Sequence, residues 1–292
     1  MNLVFHYRQP FTKQLALLEA VIAGAKTCGD EVVGEEGFER VRDVDGLVMF
    51  GIGGHSRPVF DAYRQAGKRI VFWDKGYIRG SGKGTWFRVA VDDFQPLAYL
   101  GRINRPADRL DALNLIFKPY HEKRGQYILF DGTSNKFCVW HGLGDLRAWG
   151  RSMVEKIAKH TSMPIVYRPR PSHNGMPEPV SRLARHSMGG PLDEEMANAH
   201  VVVSYGGNIG WDAVIGGVPH FAIGDSIARP VSEIDWPHVG VRFKPSDEVR
   251  RQWAANVAHC QWLLPEIENG QAWRVIKEQM GPRMVFERMV VE

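Results

Sequence analysis

Cysteine is scarce in this chain of 292 residues: Cys28, Cys138 and Cys260 are all there is, widely spaced and odd in number. That argues against a disulfide scaffold or a zinc site, and for a reducing compartment. Long apolar runs are lacking too. No hydrophobic stretch reaches the roughly 18 residues a spanning helix needs, and the first residues enter a short strand with no signal-peptide core. A cytoplasmic location is therefore expected. Charge of one sign is also in short supply, since 37 Lys and Arg face 33 Asp and Glu, leaving +4. This falls below the bias of a dedicated nucleic-acid binder, yet it suits an anionic ligand. Neither Gly-x-x-x-x-Gly-Lys nor a Gly-x-Gly-x-x-Gly fingerprint after the first strand is present. Without His-Glu-x-x-His, a Cys pair or Asp-x-Asp in the strand-end loops, no metal site is expected.

What is present is the composition of a folded enzyme, 44% hydrophobic and with nine Trp. Most Trp should pack; an excess of rigid amphipathic surface would also suit sugar or base stacking. Apolar runs predict strands over 3–7, 47–50 and 68–73, with helices over 13–28 and 57–66 between them. A less regular stretch follows, with a strand over 85–91. A second series begins with a strand over 127–130 and a helix over 146–160. Strands over 164–167, 201–204 and 219–223 continue it, with helices over 192–199 and 211–215. Helices over 248–262 and 267–279 end the chain. The 168–179 segment holds four Pro and a Gly and must be a loop. Alternating strands and helices predict parallel sheets covered on both faces. Two such domains joined near residue 120 fit better than one barrel, which needs eight similar units.

In an open parallel sheet, ligands sit beyond the strands' carboxyl ends. The strongest local signal is therefore Ser204-Tyr205-Gly206-Gly207-Asn208-Ile209-Gly210, after one apolar run and before a helix. Glycines let backbone approach a ligand, helix-start N–H groups suit an anion, and Ser204 and Asn208 add polar side chains. A tight βα turn without a ligand is the plainer alternative. Arg168-Pro169-Arg170-Pro171-Ser172-His173 leaves another strand end, where two guanidiniums can meet a diphosphate and His173 can donate to phosphate. A basic surface loop is the competing reading. Ser134 and Lys136, after the strand at 127–130, can border phosphate, and Asp225 and Glu233 follow the strand at 219–223. In the first half, Asp74 stands at a strand end as a general-base candidate, or as the ion-pair partner of Lys75, Arg79 or Arg88. His55 is the alternative base; His6 and Asp92 are weaker candidates.

Taken together, 201–213 followed by Gly217-Val218-Pro219 resembles the donor-binding strand, turn and helix of two-Rossmann-domain (GT-B) glycosyltransferases. The resemblance is strongest over 127–230. It implies two Rossmann-like domains facing a cleft, with the last helices crossing back to the first domain. Residues 1–120 would bind the acceptor, 121–262 the nucleotide sugar, and 263–292 would form the returning helix and tail. It further implies that Arg168, Arg170, His173, Ser134 and 204–208 meet the donor, with Asp225 or Glu233 on sugar or ribose. The expected co-substrate is a nucleotide-diphosphate sugar, a UDP-sugar above all, with no tightly bound cofactor.

Trp73-Asp74-Lys75-Gly76-Tyr77, Gln261-Trp262 and Gly270-Gln271-Ala272-Trp273 are similar to segments of small glycosyltransferase-like proteins of tailed bacteriophages. That resemblance implies sugar transfer onto hydroxymethylated pyrimidines in DNA, within the host cytoplasm during infection. Lys68, Arg69, Lys75, Arg79, Lys83 and Arg88 would grip the DNA backbone while Trp73, Tyr77 or Trp86 supports a flipped base. A glycan acceptor explains the aromatics nearly as well. A sugar-nucleotide epimerase, a non-catalytic nucleotide or DNA-binding module and a Rossmann oxidoreductase stand as further alternatives.

Overall fold

The computed structural model describes residues 1–7, 12–53, 56–78, 85–170 and 180–281. Among them run strands β1 (Asn2–Tyr7), β2 (Glu31–Glu36), β3 (Gly46–Phe50), β4 (Arg69–Lys75), β5 (Phe87–Val91), β6 (Tyr127–Asp131), β7 (Ile165–Arg168), β8 (Ala184–His186), β9 (Ala199–Ser204), β10 (His220–Ala222) and β11 (Gln261–Trp262). The chain divides into two compact units. Among the described residues, Met1–Leu113 and 254–281 form one, and Asn114–Trp253 the other.

The first unit holds a sheet ordered β11-β5-β4-β3-β1-β2. Its strands β2, β1, β3 and β4 are parallel, whereas β5 is antiparallel to both β4 and β11. Phe5, Leu47, Val48, Val71 and Phe72 are wholly buried, as strands covered on both faces require. After β10 and the helix Asp247–Ala258, the chain rejoins this unit through the helices Leu264–Glu268 and Gln271–Gln279. They pack closely on the helix Thr12–Thr27: a Cβ at Gly24 would stand 2.0 Å from the Ile267 carbonyl oxygen. Arg109 fastens the return, donating to the carbonyls of Ala258 and Gln261 at 2.7 Å each and to both Glu266 oxygens.

The second unit is a wholly parallel sheet ordered β10-β9-β6-β7-β8. Strand alternation divides its side chains between two cores. Ile128, Phe130, Val201 and Val203 join Trp149 and Ile157 on one face. Tyr127, Leu129 and Val202 meet Met196, Ile209 and Ala213 on the other. Burying each such aliphatic or aromatic side chain contributes roughly 1.5–3 kcal/mol. Asp145 starts the helix Leu146–His160 by accepting from the Ala148 N–H at 2.8 Å.

Several elements differ from the sequence expectation. The helix expected over 248–262 stops at Ala258, and Gln261–Trp262 is a strand against β5. Gln261 explains this, because its Oε1 accepts from the Tyr77 and Ile78 N–H groups at 3.0 and 3.3 Å. The helix expected over 267–279 is broken at Gly270, whose φ of +82° is left-handed. The strand expected over 85–91 begins at Phe87, and β2 and β8 were not anticipated. No helix among the described residues is long and apolar enough to cross a membrane.

Candidate active site

Strand order in the second unit reverses between β6 and β9. The chain leaves β6 toward β7 and β8 on one side, then returns to β9 and leaves toward β10 on the other. Loops diverging from neighbouring strand ends leave a crevice at such a switch point, where open α/β sheets place their ligands. Asp131 to Ser134 follow β6 there, and Tyr205 to Asn208 follow β9. Asp131 and Arg168 are register partners across β6 and β7, so the Arg168 loop leaves the same edge.

The turn after β9 is built by close approach. A Cβ on Gly206 would lie 2.6 Å from Cζ of Phe137, and Gly207 has φ +81°. Phe137 stacks 4.1 Å from the His141 ring and 5.5 Å from Tyr205. Gly224 is shaped by the same tyrosine, since its Cβ would lie 2.5 Å from that ring. His141 Nδ1 stands 3.4 Å from an Asp225 oxygen. Thus the loops after β6, β9 and β10 meet around Tyr205, and Asp225 joins the expected turn. Burial raises the Tyr205 pKa, with Asp225 adding to the effect. Sequence reasoning missed His141; its spacing from Phe137, one helical turn, was the available signal. We expect Gly206→Ala to push Phe137 off its stack and to destabilise the protein by about 1–3 kcal/mol. Urea unfolding followed by Trp fluorescence checks this, and an unchanged midpoint would show that the turn is looser than described.

Other candidates have different surroundings. Ser204 is wholly buried and its Oγ lies 2.9 Å from His220 Nε2. His220 Nδ1 in turn lies 2.7 Å from Ser232 Oγ, whose proton goes to the Ala228 carbonyl at 2.5 Å. Neutral His220 therefore donates through Nδ1 and accepts the Ser204 proton through Nε2, and burial pushes its pKa down to about 3. Glu233 is buried and accepts from the Ile234 and Asp235 N–H groups at 2.8 and 3.0 Å. Ser134 caps the helix Asn135–His141, accepting from the Phe137 N–H at 3.4 Å. That helix and Ile209–Ile215 are each seven residues long, so their dipoles are short. Asn208 is half-buried at the start of the latter. Arg168 pairs with Glu195 at 2.5 Å, both side chains being largely buried, while Ser187 holds the other Glu195 oxygen. Arg170 is exposed. The structure therefore separates the two arginines: one is neutralised within the fold and the other faces solvent. His173 lies outside the described residues.

In the first unit Asp74 sits at the end of β4, its side chain 25% exposed, with Oδ2 3.2 Å from Arg88. Its Oδ1 accepts from the Lys75 N–H at 2.8 Å. Buried Arg88 continues to the Phe94 carbonyl and to Gln95, which also accepts from Tyr77. His55 lies outside the described residues. His6, near the end of β1, places Nε2 3.0 Å from the Tyr63 hydroxyl, and burial lowers its pKa. Asp92 pairs with Arg69 at 2.9 Å where β5 ends. No cluster of three or more His, Cys, Asp or Glu among the described residues is arranged to hold a metal.

The residues expected to cradle DNA need correction. Trp73 and Tyr77 are wholly buried and Trp86 is 6% exposed, so none offers a face to a base. Arg88 is buried in the Asp74 network, and Lys68 and Arg69 lie where β4 begins, away from the strand-end loops. Arg79 and Lys83 lie outside the described residues. The segments that resemble phage proteins are largely packing residues as well: Trp73, Gln261, Trp262 and Trp273 are all buried.

No family model and no curated protein matches the sequence. Solved structures do. Thermosulfurimonas dismutans KpsC, beta Kdo 2,4 transferase, is 14% identical, covering 96% of this chain and 98% of that one at a TM-score of 0.54. Thermosulfurimonas dismutans KpsC, beta Kdo 2,7 transferase, is 12% identical, covering 88% and 90%, also at 0.54. At such identities the likeness is one of fold, and a phage DNA-modifying relationship is not shown by it. The mixed α/β chain, with one parallel and one mostly parallel sheet, has the fold of GT-B glycosyltransferases.

Proposed function

We propose that the chain is a glycosyltransferase that moves a sugar from a nucleotide-diphosphate donor to a hydroxyl acceptor. The observation that carries this reading is the β6/β9 switch point, where the close-packed Gly206–Gly207 turn meets the loops bearing Ser134 and Asp225. The donor occupies that edge of the second unit. Arg170 and the backbone N–H groups of 206–208 face its diphosphate, and Asp225 faces sugar or ribose. A general base, for which Asp74 and His55 are the candidates, accepts the acceptor's hydroxyl proton. The freed oxygen attacks the anomeric carbon, and the bond to the diphosphate breaks with its electron pair leaving on phosphate. Stabilising that leaving group is the task of the cationic and N–H groups, and a UDP-sugar is the donor first tested.

For the acceptor, a sugar hydroxyl is tested ahead of a flipped base; Trp73, Tyr77 and Trp86, the aromatics expected to support that base, are buried and support neither acceptor by stacking. Two solved chains of this fold are beta Kdo transferases, which supports sugar transfer as the reaction. A hydroxymethylated pyrimidine in DNA is the second acceptor, and an epimerase acting on the donor alone the second reaction. One experiment separates them. The protein is incubated with a panel of nucleotide sugars, alone, with oligosaccharides, and with hydroxymethylcytosine or hydroxymethyluracil DNA, and the products are weighed. Sugar-sized mass gain on an oligosaccharide is expected. Gain on digested nucleosides would move the acceptor to DNA, and isomerised donor without any acceptor would make the protein an epimerase. Failure of the whole panel to bind or react would end the transferase reading.

A further inference from the structure

The first unit contains a cavity of about 190 Å³ at the opposite edge of its sheet from the strand-end loops. It lies where β4 begins, at Arg69, and where antiparallel β5 ends, at Val91. The lining includes Arg64, Lys68, Arg69, Asp93, Gln95 and Gln279. Its construction is specific. Arg69 is fixed by the Asp92 carboxylate at 2.9 Å and donates to the Gly281 and Gln279 carbonyls at 3.3 and 3.5 Å. Asp92 also accepts from the Ile70 N–H at 2.9 Å and holds a left-handed φ of 61°, a conformation that Asp tolerates better than most residues. Arg69 and Asp92 therefore neutralise one another and form a rigid wall.

What remains around the cavity is rich in donors. Gln279 is 7% exposed, yet its Nε2 has no hydrogen-bond partner among the described residues. A buried amide N–H left unmade costs about 1–3 kcal/mol, so the position is one that an acceptor atom would stabilise. Gln95 directs Oε1 to Tyr77 and Arg88, which leaves its NH2 for the cavity side. Among the described residues, the Lys68 ammonium reaches the fully exposed Asp43 alone, at 3.7 Å. Arg64 adds a second cation, and the one carboxyl not engaged with Arg69, Asp93, accepts from the Phe94 N–H at 2.6 Å. Burial raises the Asp93 pKa, while the nearby Arg64 charge acts in the opposite direction.

We propose that this cavity binds a small oxyanion, a phosphate or carboxylate on a short polar carbon skeleton, between Arg64, Lys68 and the Gln279 amide. The volume sets the size: a dry engineered cavity of about 150 Å³ accepts benzene, so the ligand has on the order of ten non-hydrogen atoms or fewer. The site is separate from the proposed donor edge, and it stands whether or not the chain transfers sugars.

The full chain is titrated by calorimetry with inorganic phosphate, glycerol 3-phosphate and glycerate, all within that size, and with erythrose and threose as neutral controls. Saturable binding is expected for phosphate and for one of the organic anions, with the phosphate ester and the sugar acid telling the two head groups apart. Arg64→Gln, at an exposed position, should weaken it about tenfold, as loss of one charge-assisted hydrogen bond predicts. Gln279→Leu should do likewise, and Lys159→Ala, at an exposed position on the helix Leu146–His160 of the second unit, should leave it unchanged. The proposal is overturned by absence of saturation below about 10 mM for every anion, by equal binding of the neutral sugars, or by unaltered affinity in Arg64→Gln. That last variant decides the matter even if Gln279→Leu folds poorly.

Discussion

Arg168→Ala and Arg170→Ala should fail in different ways. Arg168 and Glu195 are 13% and 18% exposed and 2.5 Å apart, so removing the guanidinium strands a mostly buried carboxylate. Breaking such a pair costs about 3 kcal/mol or more, which lowers Tm by roughly 10 °C in a domain of this size. Arg170 is exposed, and its truncation should leave Tm within about 1 °C while weakening donor binding on the order of tenfold. Calorimetric melting of the two variants, together with nucleotide-sugar titration, measures both. A double change, Arg168→Met with Glu195→Leu, should regain much of the stability, because an apolar pair of similar volume has no stranded charge. If Arg168→Ala melts like the parent, the ion pair does not form in solution. If Arg170→Ala binds donor as the parent does, the diphosphate does not meet that loop.

This contrast changes how a pair of arginines in sequence is understood. Two guanidiniums one residue apart suggest a shared phosphate, but the first belongs to the last position of β7 and meets Glu195, 27 residues later, on the helix Leu192–Asn198. No local pattern announces that partner, since it depends on which helix covers β7 and β9. The same holds for Ser204. At the end of an apolar strand before a glycine turn it suggests a ligand, whereas its hydroxyl meets His220 of the neighbouring strand. Continuous apolar runs such as 128–130 and 201–204 were legible because strands covered on both faces have no polar alternation. β2 is mostly exposed over Glu-Val-Val-Gly-Glu-Glu, with Val32 alone buried, and has no such run. The break at Gly270 had a visible glycine, yet the helical spacing around it hid the left-handed turn. Aromatic residues were the least legible feature: Trp73, Trp253 and Trp273 are among the largest wholly buried side chains, and composition alone cannot tell a packing Trp from a stacking one.

Acid should unfold this protein with a contribution that a single substitution removes. His220 is wholly buried between Ser204 and Ser232, and its pKa falls from the ordinary 6.5 to about 3. In the unfolded chain the imidazole takes up a proton near its ordinary value; in the folded chain it does so only near the lower one. Its neutral form therefore contributes stability that is complete above pH 6.5 and is lost as pH falls from there toward 3. Across that window the loss is about 1.4 kcal/mol for each pH unit. His200 and His186, whose pKa values burial also lowers, add to the slope, so the total does not identify His220. The difference between the parent and His220→Gln does, because the amide keeps a donor and an acceptor but cannot titrate. Urea unfolding at a series of pH values between about 6.5 and 4.5 should show the parent losing roughly 2–3 kcal/mol more than the variant. Parallel curves would mean that His220 is protonated in the folded protein, and with a charged ring Nε2 would donate to Ser204 rather than accept from it.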